Sequence, residues 1–182
     1  MMLIHRCGRT QFRTLALALG MALSFGFAPA SSAADELPRE AVLPLAMATK
    51  AAAAAQDKCK QDGYRVTVAV VDRAGVLKAL VRGDGAGPHT TDSSFKKAYT
   101  AASLRRPTSE FAEMVAKTPA VQGLRDMNDK ILILGGGLPI EIGGEVVGGI
   151  GVGGAPGGHL DDACAQAGLD SIGAAPKVPA VK

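Results

Sequence analysis

Few side chains in this 182-residue chain stand where they could do chemistry. Beyond residue 34 there are two histidines, His89 and His159, and two cysteines, Cys59 and Cys164. His89 follows the stretch Gly83-Asp84-Gly85-Ala86-Gly87-Pro88 and precedes a helix-forming run. A neutral imidazole there could reach a bound ligand or a metal carried by it, and the same position suits an exposed loop histidine. His159 stands two residues before Asp161-Asp162, a trio that could hold a cation. Two carboxylates at that point read more simply as the acidic first turn of a helix, favoured by the helix dipole. No His-x-x-His or His-Glu-x-x-His spacing occurs, so no paired-histidine metal site is written in the chain. Ser93, Ser94, Ser103 and Ser109 lie in no G-x-S-x-G elbow. Asp72 opens a turn, where an aspartate serves its own backbone. Glu110 and Glu113 stand one helical turn apart, a spacing that alone marks no acid–base pair. No enzyme signature emerges.

One motif has the letters of a nucleotide site without its context. Gly149-Ile150-Gly151-Val152-Gly153-Gly154 matches G-x-G-x-x-G. That fingerprint requires a strand entering the glycines, a helix leaving them and an acidic residue after a second strand. Here the glycines lie inside the second arm of a hairpin, Leu138–Ile142 and Glu145–Gly153, whose turn is Gly143-Gly144. A Gly-Gly pair between β-branched runs supplies the positive φ angles of a tight hairpin. The reading is antiparallel sheet.

The elements that must position these residues follow from periodicity. Leu45, Ala48, Ala52, Ala55 and Cys59 recur at steps of three and four, which predicts a helix over 40–61 with a stripe of small apolar residues. Arg65–Val71 and Val76–Arg82 predict two strands around the turn Asp72-Arg73-Ala74-Gly75. A helix opens at Asp92 or Ser93 and runs to about Leu104. Pro107 begins another, with Thr108 as N-cap and Glu110 in the first turn, ending near Thr118-Pro119. Residues 120–130 have room for one helical turn, and Ile131–Leu134 reads as a strand ahead of the hairpin. The last helix opens at Asp161-Asp162 with a stripe of Leu160, Cys164, Ala167 and Ser171. The order is α-β-β-α-α-β-β-β-α. Turns this short cannot make parallel crossovers, so the class is α+β: an antiparallel sheet covered by helices.

Residues 1–34 read as a secretory signal peptide: Arg6, Arg9 and Arg13, an apolar run over 14–28, then Pro29-Ala30-Ser31-Ser32-Ala33-Ala34. The apolar run is too short to span a membrane, and cleavage falls after Ala33 or Ala34. Export to the periplasm or beyond is the expectation, followed by one domain over 35–174 and a flexible tail over 175–182. The three arginines of the leader carry the whole charge excess of 20 basic over 17 acidic residues. The processed chain is neutral, which speaks against a nucleic-acid partner. In an oxidising compartment Cys59 and Cys164 could bridge if the first and last helices lie side by side; otherwise they are two small buried thiols.

The blocks VAVVDRAGVLKALVRGDGAGPHTTDSSFKKAYTAASLRRPTSEFA and GGLPIEIGGEVVGGIGVGGAPGGHLDDACAQAGL resemble the GlcG/HbpS family over about Leu43–Ile172. The resemblance extends to the tail domain of some corrinoid adenosyltransferases. It implies a profilin-like fold with a five-stranded antiparallel sheet and helices on both faces. It implies haem binding outside the cytoplasm for storage, protection or sensing, without catalysis, and assembly into homo-oligomers. It also leaves open an accessory or enzymatic role in using a small metabolite, a 2-hydroxy acid such as glycolate or a diol, and a purely structural oligomer. Under the haem reading His89 becomes the candidate iron ligand, because imidazole is the commonest axial ligand of haem. The cysteines lack the C-x-x-C-H spacing of covalent attachment, so the haem would be held non-covalently. Arg106 could hold a propionate; Lys96 and Lys97 read instead as a solvated helix face. Tyr99, in K-A-Y-T-A, reads as packing rather than ligation. Met114 and Thr118 lie where a pocket wall could run, and Met114 also suits core filling.

Overall fold

The computed structural model describes residues 37–176. The expected leader and residues 177–182 of the expected tail lie outside the described residues. The elements are α1 (Leu45–Gln61), β1 (Thr67–Asp72), β2 (Leu77–Arg82), α2 (His89–Leu104), α3 (Thr108–Lys117), a 3-10 helix (Pro119–Arg125), β3 (Gly137–Ile142), β4 (Glu145–Gly153) and α4 (Gly158–Ser171). The four strands form one antiparallel sheet in the order β2-β1-β4-β3.

Strand alternation sorts the core into two layers. Val66, Val68 and Val70, with Ile150, Val152, Leu138 and Ile140, face α1 and α4. Ala69 and Val71 face α2, where they meet Ala98 and Ala102. The α2 side can be so thin because β4 shows it glycine. A Cβ on Gly151 would lie 2.1 Å from the Ser94 carbonyl oxygen and 2.4 Å from the Ala98 nitrogen, and one on Gly149 would lie 2.3 Å from the Ala98 carbonyl oxygen. The glycines that imitate a dinucleotide fingerprint let a helix lie against a sheet. On the other side α1 and α4 meet through Ala48, Ala51, Ala55, Ala165 and Gly168, and the Sγ atoms of Cys59 and Cys164 are bonded across that contact with Cα atoms 5.5 Å apart.

The hairpin turn is as expected: Gly143 and Gly144 have φ of 63° and 83°. Four expectations need correction. The sheet has four strands among the described residues, because Ile131–Leu134 is not one of them. Leu134 N bonds to Leu132 O, and Leu132 N donates to Thr100 Oγ1, so this backbone is used before any strand could claim it. Helix α1 starts at Leu45, after Pro44, rather than at Glu40. Helix α2 starts three residues earlier than expected, which makes His89 its first residue instead of a loop residue. In α4 the buried residues are Asp161, Asp162, Cys164, Ala165, Gly168 and Leu169, so the apolar stripe is rotated from the one expected through Leu160, Ala167 and Ser171. At the far edge of the sheet Ala175 exchanges two backbone hydrogen bonds with Glu141, at 2.8 and 2.9 Å.

Candidate functional site: a sealed polar cluster and an open apolar groove

The sealed arrangement starts from Lys97, in the middle of α2. Its ammonium lies where Gly136 has no side chain; a Cβ there would be 2.8 Å from Nζ. Nζ donates to Asp161 Oδ2 at 2.8 Å and to the Val152 carbonyl at 2.9 Å. The two side chains are 3% and 4% exposed. Asp161 Oδ1 accepts from Ala155 N at 3.0 Å, and Asp162 Oδ1 accepts from Gly136 N at 2.6 Å. Burial pushes both carboxyls above the usual range; the Lys97 charge and hydrogen bond oppose this at Asp161, and hydrogen bonds from Gly136 and Ser109 oppose it at Asp162. Beside them Thr108 Oγ1 donates to Leu134 O at 2.7 Å and accepts from Gly137 N at 2.9 Å.

This corrects two expectations. Lys97 is not on a solvated face, and Thr108 makes no side-chain cap for α3, because its hydroxyl is spent on the segment before β3. Helix α4 opens at Gly158, before Asp161-Asp162, so Asp161 stands in its first turn and Asp162 just beyond it, and both are buried. With its donors and acceptors used internally, the cluster fixes the approach to β3 and ties three distant segments together. His159 stays exposed and outside it. No group of three or more His, Cys, Asp or Glu able to hold a metal occurs among the described residues.

The open arrangement is a groove of about 650 Å³ between the β1–β2 turn and α2. Val76, Leu77 and Leu80 form one wall, Pro88, Thr91 and Phe95 the other, with Asp92 and Lys130 as its charged residues. Val76 is 60% and Leu77 46% exposed, an apolar surface left facing solvent. The turn can bend close to α2 because Gly75 has φ 76° and no side chain; a Cβ there would lie 2.6 Å from the Tyr99 ring. Lys130 Nζ stands 5.3 Å from the centre of that same ring, so Tyr99 supports the groove from beneath through Gly75 and Lys130.

Of the residues named from sequence, His89 is exposed at the first residue of α2, next to the groove residue Pro88 but outside the groove's own lining. Its imidazole folds back over Gly87. Arg106 lies away from the groove: it pairs with Glu110 at 2.6 Å and stacks over Phe111 at 5.4 Å. Met114 packs into the cluster of Phe111, Val115, Ile131 and Ile133, with Tyr99 at its margin. Thr118 is exposed at the end of α3. The five are therefore not one constellation. Tyr99 supports the groove and His89 lies beside it, while Arg106, Met114 and Thr118 lie on α3 or at its two ends. Sequence reasoning missed Lys130, whose signal (a lone cation in a polar stretch) is too common to read.

A family model described as "Haem degrading protein HbpS-like" matches residues 43–170. The chain belongs to the HbpS-like family. A crystallised double mutant of Streptomyces reticuli HbpS is 46% identical, with a TM-score of 0.70 over 79% of this chain and 95% of that one. The crystallised PduOC:heme complex is 25% identical, with a TM-score of 0.69 over 74% of this chain and 98% of that one. Protein GlcG of Escherichia coli K12 is 34% identical over 113 residues, 61% of this chain and 81% of that one. The HbpS-like match takes in the groove, the sealed cluster and both cysteines alike. Among the described residues no helix is long and apolar enough to cross a membrane.

Proposed function

We propose that this HbpS-like chain is an exported protein that binds haem or a related tetrapyrrole non-covalently, without turning it over, for storage, protection or sensing. The observation that carries the reading is the groove. It presents an apolar wall on each side, as the faces of a macrocycle require, and it places one cation, Lys130, where a propionate carboxylate could end. His89 begins α2 beside the groove residue Pro88, and its imidazole would turn from over Gly87 to supply the iron ligand. Support from relatives is of the same kind: the family description names haem, and a related solved chain was crystallised with it. Export rests on the leader sequence, and homo-oligomer formation on the family resemblance.

Titration of the processed protein with haemin tests this directly. A Soret band that shifts, sharpens and saturates at fixed stoichiometry is expected. His89→Ala should weaken binding at least tenfold, and an unchanged spectrum and affinity would remove His89 from the site. A response no different from that of an unrelated protein would reject haem binding. It would bring forward the second reading, a role in small-metabolite utilisation, which the family resemblance leaves open.

A further inference from the structure

A second cleft, of about 440 Å³, opens at the other end of β2 and has no part in the haem reading. It is enclosed by the end of α1, the segment Gly63–Arg65 and the turn after β2, and its charged residues are Lys60, Arg65, Arg82, Asp57 and Asp84. Five charges of both signs face one small volume, yet no ion pair joins any of them among the described residues. Neighbouring surface charges of opposite sign usually satisfy one another; here they are held apart.

For Arg82 the local geometry gives the reason. The Arg82 guanidinium is fastened through Nε and Nη2 to the Ala86 carbonyl, which closes the glycine loop over it. Gly83 N donates to Val66 O at 2.9 Å, and the Gln56 amide lies against Gly83 so closely that a Cβ there would be 2.2 Å from Nε2. The Gln56 amide lines the cleft, and its Oε1 is buried and accepts no hydrogen bond from the protein. A buried acceptor without a partner loses its hydration and gains nothing in return, so such a group calls for a donor. A half-turn about the last side-chain bond would exchange Oε1 with Nε2, the atom that lies against Gly83 in the cleft wall.

We propose that this cleft binds a small zwitterion. A carboxylate would lie against Arg65, Arg82 and Lys60, and an ammonium would lie against Asp57, Asp84 and the Gln56 oxygen. Three cations against two anions leave the lining one positive charge in excess, which favours a zwitterion with a second carboxylate. This makes the loop Gly83–Pro88 a wall of two sites, one at each end.

The test is an NMR titration of the disulfide-bonded protein, following the Gln56 side-chain amide. L-glutamate is the probe, and glutarate, the same dicarboxylate without the ammonium, is the control. Saturable shifts with L-glutamate, at least tenfold weaker with glutarate, are expected. Arg65→Gln, whose native side chain makes no hydrogen bond or ion pair within the protein, should weaken L-glutamate at least tenfold at unchanged Tm. Gln56→Leu should do the same without loss of Tm, since it removes an unsatisfied acceptor. Equal binding of glutarate overturns the zwitterion. Millimolar L-glutamate that leaves the Gln56 amide unmoved, or an Arg65→Gln variant that binds like wild type, overturns the site.

Discussion

At the residue scale the sealed cluster shows how little a charge says about its own position. Lys97 is adjacent in sequence to Lys96, which makes an ordinary helix-surface pair with Asp92 at 3.1 Å. Lys97 instead reaches an acid 64 residues away. No local pattern distinguishes the two lysines; the distinction is made by Gly136, which leaves room for the ammonium, and that is a tertiary fact. Lys97→Met should therefore destabilise the fold by about 3–5 kcal/mol at neutral pH in urea unfolding, because it leaves Asp161 buried without its cation. Asp162 gives a pH prediction of definite sign. Its folded pKa lies above the unfolded one because burial outweighs its hydrogen bonds. The folded state then holds more protons between the two values, so this group's contribution to stability falls as pH rises through that window and is regained on acidification. Asp162→Asn keeps an acceptor for Gly136 N. It should match wild type within about 1 kcal/mol at neutral pH and flatten the stability–pH curve on the acid side, as urea midpoints across that range would show. At Lys130 the expected change concerns ligand: Lys130→Met should weaken haemin at least tenfold but leave haem dimethyl ester unchanged. Equal losses for both would assign Lys130 to packing.

At the element scale, what the sequence made legible was whatever local spacing determines. The β1–β2 and β3–β4 hairpins and the two long helices that flank the sheet could all be read because alternation, Gly-Gly and Pro act within a few residues. Ile131–Leu134 could not. Its residues have the composition of a strand, but Thr100 and its own turn take the backbone bonds, and Ile131 and Ile133 pack against Phe111 and Val115 instead. The face of β4 that meets α2 was legible in letters and misleading in kind, since alternate glycines suit phosphate approach and helix approach equally. Gly151 decides which is at work. With Ser94 and Ala98 backbone atoms 2.1 and 2.4 Å from a would-be Cβ, Gly151→Ala must push α2 off the sheet. A loss of at least about 3 kcal/mol is expected by urea unfolding. Gly144→Ala, with nothing within 4 Å but a φ of 83°, should cost about 1 kcal/mol through backbone strain alone.

At the scale of the whole molecule, two helical layers serve different ends. Helices α1 and α4 meet through alanine and glycine, which brings backbones together but buries little apolar area per residue. The groove lies between α2 and the β1–β2 turn, with Lys130 from the segment before β3 beside it, on the opposite side of the sheet. A cross-link between α1 and α4 reinforces the layer with the smaller side chains and touches nothing in the groove. It closes a loop of 105 residues, which in the chain-entropy view stabilises by about 4–5 kcal/mol. That is a large share of the ~5–15 kcal/mol by which domains are stable. Alkylation of the denatured, unreduced protein should accordingly label neither Cys59 nor Cys164. Reduction, or the pair Cys59→Ala and Cys164→Ala, should lower Tm by well over ten degrees for a domain of this size. Haemin affinity measured well below the new Tm should not change, because α2 and the turn keep their support from β1 and β4. A fall in affinity parallel to the fall in stability would mean that the groove depends on the far layer, and that the sheet does not separate scaffold from site.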